Sequence, residues 1–568
     1  MLPGVEDLEQ RAHAWLAEDP DPDTRAALRE ALASGDTELL ERAFAAPLAF
    51  GTAGIRGPLG PGPAHMNRLV VRRVAAGLAA RLAREGPPEA QLVIVGHDAR
   101  HKSSLFATDI AGVLRGAGFE VRAFERPVPT PLLAYAVRRT GAAAGVQVTA
   151  SHNPPEDNGC KVYWAGGAQI VAPLDAEIAK AMARASGSDI SFDTEATPAT
   201  PPAPDVEGAY RAGCLATVGR DGPRAVRLVY TPLHGVAGTL TVGLLESAGF
   251  RDVHVVDEQA APDPDFPTVP YPNPEEAGAM DLAFALAVDV GADVVIANDP
   301  DGDRIAVAVP DRGGWRTLTG DEVGCLLAQD LLERGEGPDR LVATTVVSSQ
   351  MLRRIAAAHG VGYAETLTGF KWLAPAMAEG RRRGQEPVLA YEQALGVMIG
   401  DEVLDKDGIR AAVVIADLAA RLRADGRTVT HALDDLALLH GVHATAGPSV
   451  RVRSPAEARA PLERLRADPP EGLAGIAVAA VADYRSGRRR ERGGAESAIS
   501  LPSTDLLSLE LVDGSRVHVR PSGTEPRLKG YVEAVQPVGE EGLGAARARA
   551  VERRDALARA FEALVGSG

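Results

Sequence analysis

Cysteine is scarce in this chain of 568 residues, with only Cys160, Cys214 and Cys325 present. So sparse and odd a set excludes a disulfide framework and points to reduced thiols and a cytoplasmic setting. No apolar run approaches the roughly 18 residues of a membrane span. The acidic start, with Glu6, Asp7 and Glu9, lacks the basic-then-apolar pattern of a secretory leader. Positive charge is in deficit: 60 lysines and arginines face 77 aspartates and glutamates, a formal net charge of −17. Neither nucleic acid nor an anionic membrane is therefore expected as the main partner. The one arginine-dense stretch, Arg485, Arg488, Arg489, Arg490 and Arg492, is interrupted by serine, glycine and glutamate and reads as a solvated loop. A nucleotide loop is missing as well. Gly96-His97-Asp98-Ala99-Arg100-His101-Lys102-Ser103 nearly spells a Walker A sequence, but His101 stands where a second glycine must let the backbone approach phosphate. Asp98, Arg100 and Ser103 are expected instead to hold their domain together or to line its cleft.

The length exceeds the roughly 250–300 residues that one hydrophobic core organises, so several domains are expected. Strand-like runs at 92–95, 253–256, 294–297 and 341–347 alternate with helical stretches rich in Ala, Leu and Arg. That alternation predicts α/β units with parallel sheet. Residues 196–205, rich in Pro, Ala and Thr, read as a connector, and a fresh strand starts at 226–230. The C-terminal part pairs strands near 509–512 and 516–519 and adds a helix from about 540 to 564, which fits an α+β domain.

Three polar clusters follow apolar runs. The first is Thr149-Ala150-Ser151-His152-Asn153-Pro154-Pro155-Glu156-Asp157-Asn158-Gly159-Cys160-Lys161, directly after the short buried strand expected at Ala144–Val148. Two prolines and an Asn-Gly pair force a turn at the strand end, and Ser151 stands in it. A serine hydroxyl needs a base, a metal or a field of donors before it acts as a nucleophile. Adjacent His152 is poorly placed to be that base, and no Gly-x-Ser-x-Gly elbow surrounds the serine. The second cluster is Asn298-Asp299-Pro300-Asp301-Gly302-Asp303-Arg304. Its alternating carboxylates suit a hard divalent cation, and a calcium-binding helix-loop-helix is excluded because Arg304 and Pro310 stand where that loop needs glycine and glutamate. The third is Arg520-Pro521-Ser522-Gly523-Thr524-Glu525-Pro526-Arg527, where two arginines flank a Ser-Gly-Thr turn able to cradle a phosphate.

In this order the three clusters resemble those of the α-D-phosphohexomutase superfamily. Phe50-Gly51-Thr52-Ala53-Gly54-Ile55-Arg56-Gly57, Glu365-Thr366-Leu367-Thr368-Gly369-Phe370-Lys371-Trp372 and Tyr391-Glu392-Gln393-Ala394-Leu395-Gly396 extend the likeness over about residues 48 to 532. The N-terminal extension and the Glu-Gln-Ala-Leu-Gly form of the sugar loop look more like the large phosphoglucomutase and phosphopentomutase branch than the shorter branch with Gly-Glu-x-Ser-Gly-His. The resemblance implies a four-domain α/β architecture, three α/β domains with mixed sheets plus a C-terminal α+β domain. The expected divisions are a helical extension over 1–48, domain I over 49–205, domain II over 206–325, domain III over 326–448 and domain IV over 449–568. It further implies that Ser151 is phosphorylated in the active enzyme and completes a Mg²⁺ site with Asp299, Asp301 and Asp303. Lys161 takes the acid/base role, one favoured by a lowered pKa, and His152 that of an orienting neighbour or phosphate donor. Arg56 and Arg304 face the transferred phosphoryl group. Thr368, Gly369, Lys371 and Glu392 recognise the sugar, and Arg520, Ser522, Gly523, Thr524 and Arg527 grip the other phosphate. The implied reaction is a mutase interconverting sugar 1- and 6-phosphates through a bound hexose 1,6-bisphosphate, with glucose first, then pentose 1/5-phosphates, then mannose. A serine-dependent phosphatase would share Ser151 and the aspartates but has no use for the second phosphate cradle.

Overall fold

The computed structural model describes residues 5–50, 54–193, 201–202, 205–219, 221–311, 313–452, 457–522 and 527–566. Residues 196–200, 203 and 204 of the expected connector lie outside them. The chain forms two compact units, Met1–Thr317 with Gly396–Ala424, and Leu318–Leu395 with Asp425–Gly568.

The first unit begins with three helices, Val5–Glu18, Pro22–Ser34 and Thr37–Ala43. Asp21 and Asp36 cap the second and third, their side chains accepting from the backbone N–H groups of Asp23 and Leu39. The apolar faces of these helices, through Leu8, Trp15, Leu28 and Leu40, join the core formed by Leu69, Val71, Phe106 and Val146. Two five-stranded sheets follow. The first contains β1 (Ile55–Pro58), β2 (Leu92–His97), β3 (Glu120–Ala123), β4 (Ala144–Val148) and β5 (Asp157–Trp164), in the order β1-β5-β4-β2-β3. The second contains β6 (Leu228–Thr231), β7 (Val253–Val255), β8 (Val294–Asn298), β9 (Ile305–Asp311) and β10 (Gly314–Thr317), in the order β10-β9-β8-β6-β7.

The two sheets share one plan. In each, three strands run parallel (β4-β2-β3 and β8-β6-β7), and two antiparallel strands extend the edge beyond the third. The alternating pattern in the sequence captures the parallel part. The antiparallel strands β5 and β9 arise because the chain turns straight back at the serine and aspartate loops instead of crossing through a helix. Both loops therefore leave the carboxyl end of a buried parallel strand, where open α/β sheets place their ligands.

Residues 396–424, counted from sequence within the third domain, group with the first unit. They comprise β14 (Gly396–Ile399), a turn and the helix Gly408–Ala424, which packs on β8, β9 and the helix Gly238–Ser247. A Cβ on Gly408 would come within 2.1 Å of the Arg304 carbonyl oxygen, so this turn closes on the aspartate loop only with glycine there.

In the second unit, β12 (Gly362–Thr366), β11 (Arg340–Thr345) and β13 (Glu386–Glu392) form a parallel sheet with β11 central. The helix Gly320–Arg334 starts this unit with a capping box, Thr319 with Glu322. The C-terminal sheet is antiparallel and contains β15 (Val442–Ala446), β16 (Ser449–Arg451), β17 (Gly472–Leu473), β18 (Ile476–Asp483), β19 (Arg488–Glu491), β20 (Glu496–Ala498), β21 (Leu507–Leu511), β22 (Arg516–Pro521) and β23 (Arg527–Gln536). The strand β15 pairs with β23, so the C-terminal sheet starts earlier than residue 449. The helix Gly542–Gly566 covers it, with Leu557 and Phe561 in the core. Of the arginine-dense stretch, Arg488, Arg489 and Arg490 form strand β19 instead of a loop, while Arg485 and Arg492 lie in the turns on either side. Arg488 and Arg489 answer Glu496 and Glu510, and Arg485 in the preceding turn answers Glu463, so the strand is balanced by acids.

Candidate active site

The five residues of β4 are all buried, and the chain leaves them in a turn that holds Ser151 at φ 54°. Left-handed backbone is uncommon outside glycine and costs on the order of 1–3 kcal/mol where the surroundings enforce it. Here they do. The Ser151 N–H donates to Thr149 Oγ1 at 2.9 Å, and the guanidinium of Arg100 donates to the carbonyls of Ser151 (2.8 Å), Pro154 (2.7 Å), Asp157 (3.1 Å) and Asn153. Arg100 is itself placed by Asp98, whose Oδ1 accepts from the Arg100 N–H at 3.0 Å and from Ser103 Oγ at 2.6 Å. The near-Walker segment is thus the bracket under the serine turn. Lys102, which that motif would aim at phosphate, pairs with Asp21 and Asp23. Arg100→Ala would leave four carbonyls without their donor and the Asp98 carboxylate buried without its cation. It is expected to cost about 3–5 kcal/mol of stability. An unchanged urea midpoint would refute this bracket.

The second loop carries Asp299, Asp301 and Asp303, each fully buried. Asp299 Oδ2 accepts from Ser151 Oγ at 3.0 Å, and its Oδ1 accepts from the Arg304 N–H at 2.9 Å. Asp301 Oδ2 accepts from Thr130 Oγ1 at 2.5 Å and from Lys161 Nζ at 2.6 Å. Asp303 Oδ2 accepts from Lys161 Nζ at 2.5 Å and lies 3.2 Å from Lys406 Nζ. One carboxylate oxygen from each aspartate falls within 4.8 Å of the others. Oδ1 of Asp301 and Oδ1 of Asp303 are buried with no hydrogen-bond donor among the described residues. A triad of buried carboxylates at this spacing, two of them with an unsatisfied oxygen, fits a hard divalent cation such as Mg²⁺.

Charge sorts these groups. Burial, with Asp301 and Asp303 nearby, pushes Asp299 well above the usual carboxylate range. Burial also acts to raise Asp303, but Lys161, Lys406 and Arg304 overcome it and hold that carboxyl below its ordinary value. Lys161 departs from the lowered pKa favoured for its acid/base role. Burial would lower it, yet the Asp301 and Asp303 carboxylates prevail and raise it, so the side chain is held as ammonium.

His152 Nδ1 is 3.4 Å from Ser151 Oγ, too long for a strong nucleophile–base contact. Burial and the fields of Arg304 and Arg56 keep its imidazole neutral. Arg56 reaches this neighbourhood because β1 pairs antiparallel with β5, setting Arg56 opposite Gly159. A Cβ on Gly54, at φ 95°, would strike the Cys160 carbonyl at 2.1 Å, so that approach requires glycine. Ser151, His152, Lys161, Arg56, Arg304 and the three aspartates are thus gathered in the first unit.

Sequence reasoning did not single out Lys406. Its ammonium lies 3.2 Å from Asp303 Oδ2 and 3.2 Å from Asp405 Oδ1, and Asp405 Oδ2 accepts from Tyr163 Oη and Gln169 Nε2, both at 2.7 Å. The signal was Asp405-Lys406-Asp407-Gly408, three charges set directly before a helix almost wholly buried. Charges in such a place need partners within the protein.

In the second unit the predicted sugar-loop residues lie at the carboxyl ends of parallel strands, and the predicted phosphate-loop residues lie at a turn of the antiparallel sheet. Thr368 and Gly369 follow β12, and Gly369, at φ 109°, starts the helix Phe370–Arg382 with Lys371 in its first turn. Glu392 ends β13 and is buried. Arg520 lies near the end of β22, and the Ser522 N–H donates to the Arg527 carbonyl at 2.8 Å to close the turn into β23. Gly523 and Thr524 lie outside the described residues. Burial raises the Tyr531 hydroxyl above its ordinary pKa, with Arg520 lowering and Glu392 raising it.

Four family descriptions match in sequence: phosphoglucomutase/phosphomannomutase alpha/beta/alpha domain I over residues 47–188, domain II over 211–314, domain III over 319–437, and the C-terminal domain over 450–550. The chain belongs to the α-D-phosphohexomutase superfamily. It is 38% identical to the probable phosphomannomutase of Haemophilus influenzae over 474 residues, covering 83% of this chain and 93% of that protein. The probable phosphoribomutase of Schizosaccharomyces pombe is 35% identical over 553 residues, covering 92% of this chain and 93% of its own. The crystal structure of a putative phosphomannomutase from Thermus thermophilus shares the fold, with a TM-score of 0.68 at 24% identity over 92% of this chain and 100% of that one. The chain is accordingly a phosphomutase, an isomerase of the phosphoglucomutase/phosphomannomutase type.

Proposed function

We propose that this phosphohexomutase interconverts the 1- and 6-phosphates of a hexose, glucose first, with Ser151 as its phosphoryl carrier. The observation that supports this most is the 3.0 Å contact between Ser151 Oγ and Asp299 at a turn braced from below by Arg100. Phosphorylated Ser151 passes its phosphoryl group to the free hydroxyl of a sugar monophosphate: the bond from Oγ to phosphorus breaks as the sugar oxygen bonds to phosphorus. The bisphosphate turns round, and its other phosphate is returned to Ser151. Positioning and charge compensation supply most of the catalysis in such transfers. Arg56 and Arg304 offset charge on the moving group, and Lys161, held as ammonium, gives a proton to the serine oxygen as its bond to phosphorus breaks and is restored by the proton that the sugar hydroxyl loses. Asp299, Asp301 and Asp303 would hold Mg²⁺, which when bound offsets charge on the phosphoryl oxygens. Glu392 accepts from sugar hydroxyls, while Thr368, Gly369 and Lys371 shape their loop. Arg520, Ser522, Gly523, Thr524 and Arg527 grip the phosphate that is not reacting.

A pentose reading is favoured by one observation, the match to the fission-yeast phosphoribomutase along almost the whole chain. A coupled assay with Mg²⁺ and a trace of glucose 1,6-bisphosphate separates the cases. Glucose 6-phosphate formed from glucose 1-phosphate with negligible free phosphate is the expected result. Faster turnover of ribose 1-phosphate would move the assignment to pentoses, and free phosphate without isomer would overturn it for a phosphatase.

A further inference from the structure

The second unit holds a buried polar network that the reaction above does not use. It starts at Gln393, next to Glu392 in the sugar loop. Ser348 Oγ donates to Gln393 Oε1 at 3.0 Å and accepts from the Gln393 N–H at 3.2 Å. The Ser348 carbonyl accepts from the guanidinium of Arg516, whose Nε donates to Glu533 Oε2 at 2.8 Å. Glu533 Oε1 accepts from Ser349 Oγ at 2.6 Å, from the Gln350 N–H at 2.9 Å and from His443 Nδ1 at 2.7 Å. Asp321 Oδ1 joins the two ends, accepting from the Ser349 N–H at 2.7 Å and from Tyr391 Oη at 3.1 Å. Ser348, Ser349, Arg516 and Glu533 are all buried.

The ends of this network matter. Arg516 lies on β22, four residues before Arg520, and Glu533 lies on β23, directly across from Arg516. These are the two strands that carry the phosphate turn. Ser348 and Ser349 form the turn after β11, the central strand of the sheet whose neighbour β13 ends in Glu392. A hydrogen-bonded path therefore runs from the residue beside the sugar-reading carboxylate to the base of the phosphate-gripping hairpin.

We propose that this path acts as a ruler. The turn Ser348-Ser349, clamped by Arg516 and Glu533, fixes the spacing between the sugar loop and the phosphate loop, and with it the length of sugar phosphate accepted. Pentofuranose 5-phosphates and hexopyranose 6-phosphates both carry one carbon between ring and phosphate but differ by one carbon within the ring, so the span from the 1-oxygen to the phosphate changes on the scale of one bond, about 1.5 Å. A packed interior resists displacement on that scale, so a rigid spacing discriminates between the two and a loosened one does not. The four residues are positioning residues, acting through Gln393 and β22, and the proposal rests on the sugar-phosphate reading above.

The test compares the intact protein with Ser348→Ala, which removes both hydrogen bonds to Gln393, and with Ser349→Ala, which removes one to Glu533. Each is a small truncation that keeps the Arg516–Glu533 ion pair. Dissociation constants for glucose 6-phosphate and ribose 5-phosphate are measured by calorimetry, alongside turnover of the two 1-phosphates. The preference between sugars is expected to change by about 10-fold in Ser348→Ala, equivalent to about 1.4 kcal/mol, with KM moving and kcat nearly constant. A merely structural role would lower the melting temperature and leave the preference as it was. A preference changed by less than about 3-fold in both variants overturns the ruler. Should the unmutated protein neither bind nor turn over either sugar phosphate, the functional reading falls and the ruler with it. Turnover by the unmutated protein with no change of preference removes the ruler alone.

Discussion

Ser151→Ala is expected to reduce mutase turnover by a factor on the order of 10⁴ or more while the protein stays folded, because alanine offers no atom to carry the phosphoryl group. The methyl group that remains keeps the turn's volume. The bonds that hold the turn, from Arg100 to four carbonyls and from the Ser151 N–H to Thr149, use backbone atoms that the substitution leaves in place. A two-part measurement separates chemistry from stability: turnover in the coupled assay, and the thermal transition of the same sample. Turnover within about 10-fold of the unmutated protein would remove Ser151 as the carrier. The loss should appear in kcat with sugar phosphates still bound, since the residues assigned to their recognition lie elsewhere in the chain.

Chelation should produce the second large effect. Removing divalent cation with excess EDTA is expected to lower activity by at least about 10³-fold, and added Mg²⁺ should restore it. The fold gives a reason to expect restoration rather than collapse. Lys161, Lys406 and Arg304 already lie among the three aspartates, so the carboxylates keep cationic partners when the ion leaves. The melting temperature should accordingly change much less than the activity does. Activity that persists through exhaustive chelation, with metal content confirmed by atomic emission, would exclude the aspartate loop as a catalytic metal site.

Much of this arrangement was legible in the sequence. The strand before Ser151 and the strand before Asp299 announced themselves as short apolar runs stopped by proline and glycine, and both loops occupy the strand ends. What could not be read was the strand direction beyond those loops, since a tight return and a helical crossover both follow a buried strand. The identity of the cation partners was partly hidden for a similar reason. Lys161 stood within the serine segment, but Lys406 lies over 100 positions beyond Asp303 and only the fold brings them together. Arg100 was read as an internal brace or a cleft residue, and its four carbonyl contacts show the former. The raised Lys161 pKa could not be inferred from a motif, because its sign depends on two carboxylates winning over burial.

The return of residues 396–424 to the first unit bears on how the protein is made. A chain leaving the ribosome presents its first 317 residues well before the helix Gly408–Ala424 exists to cover β8 and β9. At roughly 5–20 residues per second, the intervening stretch of about 100 residues takes on the order of 5–20 s to synthesise. For that interval a largely apolar face and the uncompensated side of Asp303 stay bare in the nascent chain, a natural target for a holding chaperone. Any fragment ending between the two segments would carry the same exposed face permanently, so the first unit is not a module that can be cut out and expressed alone.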